Sequence, residues 1–289
     1  SVMQSALTYS LGSGLPIINH SEDLTLSTGG VMNEGWVSNR LGLKGTPYIA
    51  EDVMVARDIE LAEYTGGCLH LAHISTMGAL QLVKRAKESG LDVTAEVTPH
   101  HLTLTQEIIM GNNSNIDSGD ALPYSAYNTM AKVNPPLRSE EDIQALIVGL
   151  KEGYIDAIAT DHAPHSSVDK DCPFDEAAFG ISGLETALGL GLKLVHNGDI
   201  DLSTLIERLT VGPARILRQH GKHIGNLKTD SYADLVIFDP QKEWEVETAD
   251  FVSLGKNSPL DGSTLKGKVL GTISNGEVLF RDESLKDVV

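Results

Sequence analysis

The sequence predicts an α/β fold in which a parallel sheet is covered by helices and followed by a smaller β-rich region. Apolar runs that read as buried strands alternate with helical stretches along most of the 289 residues. Strands written as continuous apolar runs are typical of parallel sheets buried on both faces. From about Ile224 onward the predicted strands follow one another without helices, which favours an antiparallel arrangement.

The first half of the chain contains three strands separated by helices. A helix over residues 1–13 is stopped by Gly12 and Gly14. A polar stretch over 111–130 has no apolar period and reads as a long functional loop. Between these points we predict a strand over 15–20, a helix over 51–65, a strand over 68–74, a helix capped by Ser75 and ending near Ser89, and a strand over 91–97.

The second half continues this order and then changes to strands. Ser139 followed by Asp142 resembles a capping box, and Gly153 ends the helix that it starts. The dipeptide Asn275-Gly276 is a typical two-residue hairpin turn. We predict a strand over 155–160, helices over 182–197 and 201–217, and strands over 234–238, 268–274 and 277–280.

Composition excludes several classes of partner. The formal charge of −18 argues against nucleic acid and against an anionic membrane surface. No apolar run reaches the length of a membrane span, and no secretory signal is visible. Cys68 and Cys172 form no CxxC pair, so a reducing, cytoplasmic setting is expected. Because the chain begins with Ser1, we expect a processed protein or a fragment.

Three polar residues stand where predicted buried strands end. His20, His73 and Asp161 each follow an apolar run. The carboxyl ends of parallel strands build the active sites of α/β barrels, and imidazole and carboxylate are the usual ligands of catalytic zinc. Each residue has a plainer reading as a hydrogen-bonded loop residue or a helix cap. Their occurrence on separate strands favours a site.

Strand parity separates neighbouring candidates. His70 and His73 face opposite sides of one strand, and we choose His73 for the site and pack His70 under a helix. By the same argument His162 faces away from Asp161. His100-His101 is equally consistent with a structural turn and a site-lining role.

Other polar residues are assigned more loosely. His165 is free to turn toward the pocket, and Asn134 is presented by a rigid Pro-Pro segment. We read Arg138 as a surface or helix-start residue. We expect three further histidines, His196, His220 and His223, to be solvated.

Several segments together resemble the class I dihydroorotases of the amidohydrolase superfamily. The segments that carry the resemblance are 70–76, 94–102, 132–138, 155–165 and 179–185, and the tail around 212–214 and 233–236 also resembles that family. The resemblance implies that residues 1–222 are the C-terminal half of a TIM-like (β/α)₈ metal-dependent hydrolase barrel, with about strands five to eight. Residues 223–289 would then be part of a composite β-sandwich.

The resemblance also implies residue roles. His20 and His73 match metal ligands, and Asp161 matches a metal ligand that is also the general base. Asn134, His165 and the Phe179-Gly180 backbone match substrate-binding positions. The family interconverts N-carbamoyl-L-aspartate and L-dihydroorotate in pyrimidine biosynthesis, usually with one or two Zn²⁺ ions. A homodimer or an aspartate transcarbamoylase partner is the expected assembly.

The chain also departs from that family. The His-x-His pair of the family's first strand and the acidic ligand of its fourth strand region are absent from the 289 residues. We therefore expect these residues alone to bind metal weakly and to turn over little substrate. Two alternatives stay open: a non-catalytic dihydroorotase-like scaffold, and a related cyclic amidohydrolase such as a hydantoinase, dihydropyrimidinase or allantoinase.

Overall fold

A four-stranded parallel sheet organises the first part of the chain. The computed structural model describes residues 1–111, 125–218, 224–229 and 231–285. The sheet has the order β1-β4-β5-β6. Its strands are β1 (Ile17–Asn19), β4 (Leu69–Leu71), β5 (Val93–Val97) and β6 (Ala157–Ile158). These four strands lie within the four ranges predicted from the apolar runs.

Helices follow the strands and cover the sheet. In the described residues they are α1 (Val2–Ser10), α2 (Leu24–Ser27), α3 (Trp36–Leu41), α4 (Ile49–Thr65), α5 (Met77–Glu88), α6 (Glu140–Glu152), α7 (Ser167–Lys170), α8 (Ala187–Asn197), α9 (Leu202–Leu209) and α10 (Val211–Ile216). The predicted cap at Ser139 is confirmed, because its side chain accepts a hydrogen bond from the Asp142 amide. No helix in the described residues is long and apolar enough to cross a membrane.

Strand register brings the four carboxyl ends to one edge of the sheet. Ile17 pairs with Leu69, Leu69 with Val93, and Glu96 with Ala157, all in parallel. The main core lies between this sheet and its helices and is built from fully buried aliphatic side chains. A second apolar cluster, with Met32, Val133 and Phe174 among its members, supports the segments beyond the strand ends.

A three-stranded antiparallel sheet follows. It consists of β7 (Leu235–Glu245), β8 (Thr264–Ser274) and β9 (Glu277–Arg281). The predicted hairpin is confirmed, and Asn275 and Gly276 both have positive φ, as the tight turn requires. Leu265 of β8 packs in a small buried cluster with Leu190 of α8. The sheet is thereby attached to the helix that follows the site segments.

Several predictions of local structure are wrong. Thr76, not Ser75, caps α5, because the Ser75 hydroxyl bonds to Glu51 and Arg138 instead. Helix α8 begins at Ala187, five residues later than predicted, since Ser182 bonds to a distant loop. The helix predicted over 201–217 is two helices that meet at Thr210.

Other features were missed or lie beyond the description. The short paired strands β2 (Met32–Asn33) and β3 (Gly45–Thr46) were not predicted. Most of the loop predicted over 111–130, together with His220 and His223, lies outside the described residues. Its described end carries a 3₁₀ turn at Thr129–Ala131. His196 is exposed, as predicted.

Candidate active site

Two of the strand-end candidates have a backbone conformation that is uncommon for non-glycine residues. His73 has φ 33° and Asp161 has φ 45°. Such left-handed conformations cost on the order of 1–3 kcal/mol and concentrate at functional sites. Both residues follow their strands by two or three positions, so the turn, and not strand parity, decides where their side chains point.

His20 and His73 meet directly. The Nδ1 atom of His20 lies 3.1 Å from Nε2 of His73, and the two rings are edge-on with centroids 4.7 Å apart. The two residues come from the ends of neighbouring strands, β1 and β4. Register in the sheet therefore creates this pair from positions 53 residues apart in sequence.

Glu22 orients His20 and Asn134 together. Its Oε2 lies 2.8 Å from His20 Nε2 and accepts a hydrogen bond of 2.9 Å from the side-chain amide Nδ2 of Asn134. Burial opposes ionisation of Glu22, but hydrogen bonds from Ser27, Asn134 and His20 outweigh it and lower its pKa. Because an ionised carboxylate only accepts, His20 Nε2 donates to Glu22, and His20 Nδ1 is the ring nitrogen that faces His73.

His73 is kept neutral by its surroundings. It is buried, and within the described residues its Nδ1 has no hydrogen-bond partner. Burial lowers its pKa, and the neighbouring His20 adds to this effect, while the negative charges of Asp161 and Glu51 partly oppose it. A neutral imidazole is the form that binds metals.

Behind His73 lies a buried charged network. Arg138 is 2% exposed and donates to Ser75 Oγ at 2.9 Å and to Asn33 Oδ1 at 2.7 Å. It also pairs with Glu51 at 3.3 Å, and Glu51 accepts the Ser75 amide at 2.7 Å. Of the two alternatives predicted for Arg138, a surface position is wrong, whereas a position at a helix start agrees with its place directly before the Ser139 cap of α6. This network, with His20, Glu22, His73 and Asn134, is called the histidine side.

A second group of segments carries the other predicted substrate-binding residues and is called the loop side: residues 163–165, 170–182 and 257. His165 Nε2 lies 2.8 Å from the Phe179 carbonyl oxygen. Gly180 has φ 144°, and a Cβ there would lie 2.6 Å from Ala163 Cβ and 2.9 Å from His165 Nε2. Only glycine allows this close approach. The structure therefore brings His165, Phe179 and Gly180 together.

Two buried lysines hold the loop side through main-chain carbonyl groups. Lys170 Nζ donates to the carbonyl groups of Ala178, Thr129 and Lys132 at 2.7, 3.1 and 3.2 Å. Lys132 Nζ donates to Phe174 O at 2.8 Å and lies 4.4 Å from the Phe179 ring centroid. Burial, together with the positive charge of Lys132, lowers the pKa of Lys170 to about 8.

Three other histidines, His70, His101 and His162, bond to structural partners. His70 is buried, but it pairs with Glu96 at 3.1 Å and Thr94 at 2.8 Å on β5, and the prediction placed it under a helix. His101 Nε2 lies 3.0 Å from the Pro135 carbonyl oxygen, which makes the 100–101 pair a buried turn. His162 Nδ1 accepts the Gly183 amide at 3.2 Å.

Residues missed in the sequence share one property: their roles depend on distant partners. Glu22 could have been suspected, because a carboxylate two residues after His20 is within reach of its ring. Lys132, Lys170 and Asn257 gave no local signal. Their partners lie 8 to 94 residues away.

The histidine pair fits part of a metal site. Two imidazole nitrogens about 2.0–2.1 Å from a tetrahedral zinc ion lie about 3.3–3.4 Å apart, and the observed separation of 3.1 Å is slightly shorter. Catalytic zinc needs three protein ligands. Among the described residues no group of three or more His, Cys, Asp or Glu side chains could hold a metal ion, so Asp161 does not complete a set here.

Comparison with known proteins gives a consistent result. The family model described as "Amidohydrolase family" matches residues 14–279. A dihydroorotase from Geobacter sp. (strain M21) is 48% identical over 97% of this chain and 62% of its own length. A dihydroorotase from Syntrophus aciditrophicus is 47% identical over 98% and 62%. The chain thus spans about 62% of the length of these relatives.

Solved structures show the same fold. The L-hydantoinase (dihydropyrimidinase) from Arthrobacter aurescens superposes with a TM-score of 0.81 at 27% identity, over 97% of this chain and 60% of the other. The dihydropyrimidinase from Brevibacillus agri NCHU1002 gives 0.79 at 20% identity, with the same coverage. The resemblance to dihydroorotases seen in the sequence motifs is matched by the two dihydroorotases described above.

Proposed function

This chain belongs to the amidohydrolase family, and from that premise we propose that it carries much of the active site of a dihydroorotase. The reaction is the reversible, metal-dependent cyclisation of N-carbamoyl-L-aspartate to L-dihydroorotate in pyrimidine biosynthesis. The identity of 48% to a dihydroorotase supports this substrate. The observation that carries the proposal is the pair of histidines, His20 and His73, with nitrogens 3.1 Å apart at adjacent strand ends.

His20 and His73 would hold zinc. The dihydroorotase resemblance supports Asp161 as a further ligand, although its side chain does not complete a three-residue ligand set among the described residues. Zinc, when bound, polarises a carbonyl group and lowers the pKa of water. Glu22 fixes the His20 ring so that Nδ1 is the free nitrogen. Asp161 acts as general base: it takes a proton from the attacking water and passes it to the leaving amide nitrogen. Further ligands would come from the part of the relatives' length that this chain does not span.

The substrate carboxylate would bind between the two sides. Asn134 offers an amide that Glu22 already orients at 2.9 Å. In this proposal His165 and the Phe179-Gly180 backbone would form the opposite wall, and His165 Nε2 lies 2.8 Å from the Phe179 carbonyl oxygen. Lys132 and Lys170 supply fixed positive charge in a chain whose formal charge is −18, which favours an anionic substrate.

The proposal extends to architecture and partners. The four parallel strands would belong to a (β/α)₈ barrel within residues 1–222, and the antiparallel sheet to a composite sandwich within 223–289. A cytoplasmic setting and a homodimer or an aspartate transcarbamoylase partner remain predictions from the dihydroorotase resemblance.

A hydantoinase or dihydropyrimidinase is the second candidate, favoured by the TM-score of 0.81 to L-hydantoinase. The two candidate activities can be separated by measuring rates of ring opening with the zinc-loaded protein as its gene encodes it. The substrates to compare are dihydroorotate, dihydrouracil and hydantoin. We expect dihydroorotate to be opened at least about tenfold faster, which corresponds to about 1.4 kcal/mol of transition-state preference. Faster opening of an uncharged ring would reject the dihydroorotase assignment.

The role of Asp161 has its own test. Asp161→Asn should lower dihydroorotate turnover by about 10²–10⁴, the usual contribution of a general base. The matched control is Asp250→Asn, which changes an exposed carboxylate in the C-terminal region. If the two variants were equally active, Asp161 would not be the base.

A further inference from the structure

We infer that Asn257 is a positioning residue that clamps the substrate-binding loop side from the C-terminal region; this inference rests on the proposed dihydroorotase function. Asn257 lies between a 3₁₀ turn at Thr248–Asp250 and β8, far in sequence from every candidate site residue. It is nonetheless only 3% exposed. No motif pointed to it.

The side-chain amide of Asn257 links two site segments. Its Nδ2 donates to the Ala163 carbonyl and to the Gly180 carbonyl, both at 3.0 Å. Its Oδ1 accepts a hydrogen bond of 2.8 Å from the main-chain N–H of His165. One side chain therefore bonds to the backbone of both His165 and Gly180, the two residues that form the loop-side wall.

The main chain around Asn257 adds to this clamp. Its carbonyl group accepts the Ser182 amide at 2.8 Å. The Ser182 hydroxyl lies 2.8 Å from Gly255 O and 2.9 Å from Asn257 Oδ1. A Cβ on Gly255 would lie 2.5 Å from Pro164 Cβ, so the two loops are in close contact. Segments 163–165 and 180–182 are thus held from outside their own part of the chain.

The bonding pattern specifies asparagine. Two carbonyl oxygens need donors and one amide needs an acceptor, and only a carboxamide offers two donors and an acceptor at this length. An aspartate of the same shape would keep the bond to His165 N–H. It would lose both donors and place a charged oxygen about 3.0 Å from two carbonyl oxygens. Buried polar groups left without partners in this way weaken the structure that holds them.

The consequence for the reaction is selective. Asn257 does not contact His20, His73 or Asp161 through any of its bonds given above, so the groups assigned to metal binding and proton transfer stay in place. Loosening His165 and Gly180 removes binding that the substrate and the transition state share. Such a loss raises KM and leaves kcat unchanged.

The experiment compares Asn257→Asp, Asn257→Ser and Ser258→Ala in the zinc-loaded protein as its gene encodes it. For Asn257→Asp we expect KM for dihydroorotate to rise about tenfold to a hundredfold, with kcat within about threefold of wild type and zinc content unchanged. Ser258→Ala alters the neighbouring buried residue, whose hydroxyl accepts a hydrogen bond from the local Leu260 amide, and should match wild type.

A second measurement covers the case in which Asn257→Asp does not fold. Asn257→Ser keeps one donor and one acceptor and should show an intermediate KM and faster hydrogen exchange of the His165 amide. Suppose that the wild-type protein opened dihydroorotate but that KM in the folded Asn257 variants stayed within twofold of the wild-type value. The role of Asn257 would then be overturned, and the proposed function would stand. A wild-type protein that did not open dihydroorotate would overturn the proposed function and this inference with it.

Discussion

The two sides of the candidate site hold their buried cations in opposite ways. On the histidine side, Arg138 is paired with the buried carboxylate of Glu51 at 3.3 Å. On the loop side, Lys170 contacts three neutral main-chain carbonyl groups. An ion pair fixes two side chains to each other, whereas a lysine bonded to carbonyl groups fixes the path of the backbone. The histidine side is thus built to orient side chains, and the loop side to shape a main-chain wall.

Removing one member of the ion pair should have the largest effect. Arg138→Met leaves Glu51 as an uncompensated buried charge, and we expect a loss of about 3–5 kcal/mol in the free energy of unfolding. The double variant Glu51→Gln, Arg138→Met should recover most of that loss, because no charge is then left unpaired. Urea unfolding of both variants measures the difference. A single variant as stable as wild type would contradict the pairing.

Removing the loop-side lysine should cost less. Lys170→Met leaves carbonyl groups without donors but also relieves the burial of a charge, so we expect a loss of about 1–3 kcal/mol. Lys193→Met, at an exposed position of α8, is the control and should leave stability unchanged. Urea unfolding again provides the measurement. A loss for Lys170→Met as large as that for Arg138→Met would remove the distinction between the two sides.

The buried side chain of His100 predicts a pH dependence. Burial lowers the pKa of His100 to about 3, and the neighbouring His73 adds to the shift. Between pH about 3 and 6.5 the unfolded chain binds a proton at His100 that the folded chain does not. Stability should therefore fall as the pH drops through this window, by up to about 1.4 kcal/mol per pH unit.

The variant His100→Gln tests this dependence. It should flatten the fall in unfolding free energy between pH 6.5 and 5, measured by urea unfolding at several pH values. His196→Gln alters an exposed histidine and should keep the wild-type slope. An unchanged slope in His100→Gln would show that folding does not lower the pKa of His100.

Much of the fold could be predicted from signals that are local in the sequence. The Ser139 cap and the Asn275-Gly276 hairpin were predicted because their partners lie within three residues. The four parallel strands followed from apolar runs, and strand-end position was enough to select His20 and His73, which do meet.

The errors concern residues whose partners are distant in sequence. Ser75 has the sequence context of a helix cap, but Glu51 and Arg138, 24 and 63 residues away, take its hydroxyl. Arg138 was read as exposed because an arginine is buried only when such partners exist. Strands of two residues, such as β2, are too short to show a period.

Zinc binding by His73→Ala tests the central claim most directly. In the protein as its gene encodes it, equilibrium dialysis should show at least about a tenfold loss of zinc affinity for His73→Ala. His196→Ala removes an exposed histidine and should bind zinc like wild type. If His73→Ala bound zinc as tightly as wild type, the His20–His73 pair would not be part of a metal site.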